Sequence, residues 1–116
     1  MSLIEEENMN EELGRIDGWT FNNKSISKTY SFTSYMDGIN FINRLAVEAE
    51  KTNHHPDMIV CWCKVVVTFT SHDKGGVTEQ CIMMSKNSDS VYYNFLKVVS
   101  SSEQIEYFTT SPTING

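Results

Sequence analysis

The chain carries three histidines, and all of them fall in one stretch, EAEKTNHHPDMIVCWCKVVVTFTSHDKGG, from Glu48 to Gly76. His54 and His55 are adjacent, and His72 stands at the far end of an apolar, β-branched run. Imidazole titrates closest to neutrality of the common side chains, so it can move protons in either direction or ligate a metal. Three readings fit these residue types. In the first the histidines are surface or core-edge groups without chemistry, although two in a row just past a helix C-terminus sit where the helix end favours imidazolium. In the second, His54, His55, Cys61, Cys63 and His72 hold zinc. The ligand softness suits zinc, but the spacing lacks the usual paired knuckles. Cys61 and Cys63, two apart on one strand face, more often pack as small hydrophobes. In the third, imidazoles in opposite protonation states act as general acid and general base. Ser71, His72 and Asp73 do not make a triad, because adjacent strand residues point to opposite faces. No other nucleophile has an obvious base, so proton transfer without covalent catalysis is the simplest chemistry available.

The elements that position these residues follow from hydrophobic period. Turn-rich GRIDGW and NNKS bracket a short strand around Trp19 to Phe21. SISKTYSF alternates, with Ile26, Lys28, Tyr30 and Phe32 on one face and Ser25, Ser27, Thr29 and Ser31 on the other, as a half-buried strand does. The period then lengthens. Ile39, Ile42, Leu45 or Ala46, and Ala49, joined by Phe41, form one apolar stripe of a helix from Ser34 to Glu50, with Ser34 as N-cap. Asn53 and Pro56 lie beyond its end. MIVCW and KVVVTFTS are two strands in close succession, the second alternating Val65, Val67 and Phe69 against Val66, Thr68 and Thr70. After the DKGG turn, Thr78 is an N-cap, with Val77 and Ile82 as a hydrophobic staple. A last helix follows from Met83 to Leu96 or beyond, interrupted by the poor helix formers of SKNSDS. The order strand, strand, helix, strand, strand, helix gives an α+β fold, an antiparallel sheet covered on one face by helices. Residues 1–12 read as a flexible, at most loosely helical acidic lead-in, residues 13–100 as one domain, and residues 101–116 as a polar tail.

At 116 residues there is enough chain for a single core. A 40% hydrophobic and 21% charged composition is that of a soluble globular domain. Nine basic against 15 acidic residues, a formal net charge of -6, argue against direct nucleic-acid binding and against an anionic membrane as partner. No run of roughly 20 apolar residues could span a bilayer. The start MSLIEEENMN is acidic where a secretory signal is basic. Together with an odd count of three cysteines, this places reduced thiols in the cytoplasm, with room for a nuclear pool.

Several of these residues also carry a likeness. Glu50, NHHPD at Asn53 to Asp57, Trp62, KVVVTFTSH ending in His72, and GVTEQ at Gly76 to Gln80 closely resemble the pterin-4a-carbinolamine dehydratase family. Gly18-Trp19 and FINRLAVEAEK at Phe41 to Lys51 match as well, so the likeness covers Leu13 to Gln80. It implies a four-stranded antiparallel sheet with two to three helices packed on one face, assembled as a homodimer or homotetramer. The implied reaction is the loss of water from 4a-hydroxytetrahydrobiopterin to give quinonoid dihydropterin, in tetrahydrobiopterin recycling, with no metal and no organic cofactor. His54 and His72 would carry the proton transfers, and Glu50 would orient or polarise an imidazole. His55 would position the pterin, with Pro56, Trp62, Thr70 and Ser71 as further substrate contacts and the backbone of Val67 to Ser71 as an edge for the pterin's amide. Some animal members of the family also serve as dimerisation cofactors of a homeodomain transcription factor. A non-catalytic binding module or transcriptional coactivator is therefore the alternative. Two departures stand out. Cys81 occupies a position where the family usually has an acidic residue, and the last helix matches poorly in its apolar order.

Overall fold

The computed structural model of the protein describes residues 2–109, with side chains as far as Val98. The elements in order are α1 (Glu6–Leu13), β1 (Thr20–Asn22), β2 (Ser25–Ser31), α2 (Tyr35–Thr52), β3 (Asp57–Val60), β4 (Lys64–Phe69) and α3 (Glu79–Thr109). The four strands form one antiparallel sheet in the order β1-β2-β4-β3. This is the expected α+β fold, with the three helices on one face.

Alternation along the strands decides which face that is. Ile26 and Tyr30 of β2, and Val65, Val67 and Phe69 of β4, are all buried and face the helices. Their neighbours Ser27 and Thr68 lie on the open face and bond each other at 2.8 Å. The β1–β2 connection has only Asn23 and Lys24 between paired residues, both with positive φ (51° and 66°), the backbone of a type I′ hairpin. The first strand is thus shifted by one residue from the expected Trp19 to Phe21, and Trp19 is buried just before it.

In α2 the Ser34 hydroxyl accepts from the Asp37 amide at 3.1 Å, the expected N-cap. Its buried stripe is Gly38, Phe41, Leu45 and Ala49, whereas Ile39 and Ile42 flank it half-buried. A Cβ on Gly38 would stand 3.3 Å from Val65 Cγ2, so the absent side chain lets this helix approach the sheet closely. The helix runs two residues past the expected Glu50, to Thr52.

Two expectations change at the ends of the chain. The acidic lead-in contains a helix, α1, whose Met9 is buried in the shared core. The segment before it is tied down by an Ile4 amide bond to the Val77 carbonyl at 2.8 Å. One buried thioether and a strand-like bridge between Leu3 and Thr78 hold what composition alone leaves loose. At the other end α3 opens at Glu79 and runs unbroken to Thr109, through SKNSDS and into the segment expected as a tail; residues 110–116 lie outside the described residues. SKNSDS does not interrupt the helix because its polar groups find partners. Ser85 and Ser88 are buried, Ser85 Oγ donates back to the Ile82 carbonyl, and Ser88 bonds the Tyr30 hydroxyl at 2.9 Å. Asp89 accepts from Trp19 Nε1, Lys28 Nζ and the Tyr30 hydroxyl, at 3.2, 2.9 and 2.5 Å. Burial, with Asp89 reinforcing it, raises the Tyr30 phenol above its ordinary range.

Candidate active site

Three pieces of chain converge below the C-terminal end of α2. The helix stops at Asn53, which adopts the left-handed conformation (φ 53°, ψ 40°) and sends its amide back to the Ala49 carbonyl. The His54 amide bonds the same carbonyl at 3.2 Å. Asn tolerates this backbone better than most residues, and the turn throws His54 and His55 to different sides. Pro56 restricts His55 to extended backbone, and β3 begins at the next residue. The two histidines are therefore fixed by a helix cap on one side and a strand on the other.

His54 points inward. Its ring stacks on Phe69 with centroids 5.9 Å apart and planes within 10°, and the residue is 9% exposed. Its Nε2 lies 3.4 Å from Cys81 Sγ in the first turn of α3. Burial holds its pKa below the ordinary 6.5, because imidazolium loses water there. Asp73 opposes that shift, while His55 and His72 add to it by like-charge repulsion. His54 thus has both other histidines and Asp73 as electrostatic neighbours, and burial favours its neutral form.

His55 faces out. Its Nε2 is 2.6 Å from Glu50 Oε2, a contact between a half-exposed imidazole and an exposed carboxylate. Glu50 accordingly holds His55 rather than His54. His72 is exposed at the head of a tight turn. That turn is closed by the Ser71 amide to the Gly76 carbonyl, at 2.8 Å, with the Lys74 and Gly75 amides on the Ser71 carbonyl. Gly75 has φ 78°, a conformation an L side chain would strain.

Other expected contacts fall elsewhere. Thr70 gives its hydroxyl to the Lys24 carbonyl at 2.7 Å, on the hairpin side of the strand. Ser71 is buried and bonds Thr78 Oγ1 at 2.8 Å, and its backbone groups serve the turn. Trp62 is 79% exposed in the β3–β4 turn. It is separated from the histidine end by the whole paired length of β3, roughly 13 Å at the usual rise per residue. Cys61 and Cys63 belong to that same turn, closed by the Cys61 amide on the Lys64 carbonyl, and not to a strand face beside the histidines. Among the described residues no group of three or more His, Cys, Asp or Glu side chains could hold a metal ion. Of the expected backbone edge from Val67 to Ser71, Val67 and Thr68 are paired with β3 and Ser71 serves the turn. β3 pairs with β4 only as far as Asp57 and Thr68, so β4 extends past its partner where Phe69 carries His54. A nearby cavity of about 330 Å³, lined by Leu3, Met9, Phe21 and Gly76 among others, includes none of the histidines.

One buried imidazole whose neutral form is favoured stands among two exposed imidazoles, one of them held by a carboxylate. Such a site can exchange protons at more than one atom of a bound ring without a nucleophile or a metal. Sequence reasoning singled out the three histidines and Glu50. It missed the ring partner Phe69 and the contact of Cys81 with His54, and it weighed Asp73 only as a triad member. Only the odd residue type at Cys81 offered a signal for that contact.

Comparison with known proteins identifies the family. The family model described as pterin 4 alpha carbinolamine dehydratase matches residues 2–91. A protein of Sulfurisphaera tokodaii, provisionally named pterin-4-alpha-carbinolamine dehydratase, is 34% identical over 78% of this chain and 98% of its own length. One of Thermosynechococcus vestitus with the same provisional name is 36% identical over 65% of this chain and 79% of its own. Among solved structures, a transcriptional coactivator/pterin dehydratase from Brucella melitensis superposes with a TM-score of 0.75 at 30% identity, covering 78% of this chain and 99% of that one. A pterin dehydratase-like protein identified as a RuBisCO assembly factor in the alpha-carboxysome shares the fold, with a TM-score of 0.54 at 20% identity over 64% of this chain and 86% of that one.

Proposed function

This chain belongs to the pterin 4 alpha carbinolamine dehydratase family, and from that premise we propose that it dehydrates 4a-hydroxytetrahydrobiopterin to quinonoid dihydropterin by proton transfers through its histidines. The C4a–O bond breaks with its electron pair on oxygen, N5 gives up its proton, and water leaves. The departing oxygen needs a proton donor and N5 a base. His54 and His72 carry these transfers, His55 positions the pterin ring, and Glu50 fixes His55. The chain where β4 passes its partner β3, at Phe69 and on to Thr70, offers backbone groups to the pterin's amide, as another strand would. What supports this reading is that His54, stacked on Phe69 and largely dry, has both His55 and His72 as electrostatic neighbours, with burial favouring its neutral form. The tetrahydropterin recycled in this way supports aromatic hydroxylation, and a homodimer or homotetramer in the cytoplasm is the assembly that suits it.

Spontaneous dehydration already proceeds, so the enzyme needs to lower the barrier only by something on the order of 4 to 8 kcal/mol. Stopped-flow absorbance of freshly generated 4a-hydroxytetrahydropterin tests the reading. Wild type accelerates the decay, and His54→Ala and His72→Ala each lose about 10²-fold or fall to the spontaneous rate. A folded wild type that gives no acceleration would sink the proposal. It would favour the second reading, a binding or dimerisation module of the same fold, whose motive is the replacement of the usual acid by Cys81.

A further inference from the structure

Cys81 lies at the junction of three polar groups, His54, Ser71 and Thr78, and the dehydratase chemistry as written uses only the first of them. It is 0% exposed, and its Sγ is 3.4 Å from His54 Nε2, 3.5 Å from Ser71 Oγ and 3.7 Å from Thr78 Oγ1. The two hydroxyls lie 2.8 Å apart. The Thr78 hydroxyl donates to Cys81 Sγ, and it has only one proton to give. It therefore receives from Ser71 at its oxygen, which uses the Ser71 proton as well. One proton remains, that of the Cys81 thiol. It can go to the Ser71 oxygen, already a donor to Thr78, or to His54 Nε2. Imidazole nitrogen is by far the stronger base of the two, and a neutral sulfur is a poor acceptor for an N–H. The chain therefore runs one way, from Ser71 through Thr78 and Cys81 to His54.

We infer that Cys81 is a positioning residue that fixes His54 in the tautomer protonated at Nδ1, so that the nitrogen left free to meet the pterin is a hydrogen-bond donor. The inference rests on the dehydratase reading and narrows it, with His54 as the hydrogen-bond donor to the departing oxygen and His72 as the group that carries the proton. His54 Nδ1–H is placed to hold the departing 4a oxygen, as a neutral imidazole of depressed pKa can. The N5 proton passes to His72, which returns it through water to the released hydroxide. Water leaves, and the protein ends in the protonation state in which it began. An acceptor at position 81 would reverse the outcome, because a carboxylate takes the Nε2 proton and leaves Nδ1 bare, while also favouring imidazolium. The residue type at this one position therefore decides whether His54 offers the substrate a donor or an acceptor. The other titratable groups around His54, namely Asp73, His55 and His72, are the same residues in either case.

The test is long-range proton–nitrogen NMR of the full, uniformly ¹⁵N-labelled chain above the titration of His54, with stopped-flow kinetics on the same samples. In wild type and Cys81→Ser, His54 is expected to carry its proton on Nδ1 with Nε2 bare. Cys81→Ala is expected to show both tautomers and Cys81→Asp the reversed one, with the His54 titration moved to higher pH. In Cys81→Ala kcat drops by about tenfold, a fraction of what a positioned proton carrier supplies, and KM stays put because Cys81 touches no substrate. Cys81→Ser restores kcat, which a purely packing role of the thiol would not explain. A wild-type His54 protonated at Nε2, or a Cys81→Ala protein with an unchanged tautomer, would overturn the inference even if one variant failed to fold. A wild type that shows the expected tautomer but does not accelerate dehydration would instead remove the dehydratase reading and leave the tautomer assignment standing.

Discussion

At the scale of single residues, the site is governed by how differently three identical side chains are housed. His54 is stacked on Phe69 and largely removed from water, whereas His55 and His72 remain exposed. Burial lowers the pKa of His54, and this has a consequence for stability. The unfolded chain, with an ordinary His pKa of 6.5, takes up a proton before the folded one does as pH falls. The stabilisation is therefore fully present above pH 6.5 and is lost as pH drops from there through the lower folded value. Urea midpoints measured above pH 6.5 and well below it should show the decline in wild type. The decline should be clearly smaller in His54→Gln, which keeps a polar group of similar size but has nothing to titrate. An equal decline in both proteins would place the acid sensitivity elsewhere.

At the scale of elements, the β1–β2 hairpin contains a conflict between sequence and backbone. Its two-residue loop needs left-handed conformation at both positions, and it has Asn23 and Lys24 there. Asn accepts that conformation readily, but a lysine there is held at a cost of about 1 kcal/mol. Lys24→Gly should raise the unfolding free energy by roughly 0.5–1 kcal/mol in a urea titration, with m unchanged, since the Lys24 carbonyl that receives Thr70 is retained. A loss of stability would mean that the Lys24 side chain contributes more by its contacts than its backbone strains. The last helix shows the opposite case, a segment that looks weak and is not. SKNSDS disagrees with helix propensity, yet the small buried Ser85 and Ser88 let α3 lie close against Tyr30 and the sheet.

For the molecule as a whole, Asp89 is the point where sheet and helix are joined. It gathers Trp19 from before β1, and Lys28 and Tyr30 from β2, onto α3, and the Lys28–Asp89 pair is only 13% and 18% exposed. Removing one partner of such a pair strands the other in a dry place. Asp89→Ala should destabilise the protein by about 2–4 kcal/mol in urea unfolding, while Asp89→Asn, which still accepts hydrogen bonds, should cost less. If the alanine variant unfolded at the wild-type midpoint, the network would be ornamental to the fold. No helix among the described residues is long and apolar enough to cross a membrane.

The sequence by itself determined whatever depends on local period and local chemistry. Alternation in SISKTYSF and KVVVTFTS set which strand faces are buried, the three- and four-residue spacing after Ser34 set α2, and His54, His55, His72 and Glu50 marked the site. Local rules could not reach contacts made across long separations. His54 and Cys81 are 27 residues apart, and Trp19 and Asp89 are 70 apart. Their pairing depends on the sheet order β1-β2-β4-β3 and on where α3 lands upon it. For the same reason Glu50, one turn before His54, bonds His55, because the left-handed Asn53 redirects the chain between them. Trp62, near the histidines in sequence, ends at the other end of its hairpin because β3 must run its paired length first. Tertiary structure alone decided which imidazole is dry, which nitrogen is occupied, and what stands beside it, since burial and hydrogen bonding are properties of the packed chain.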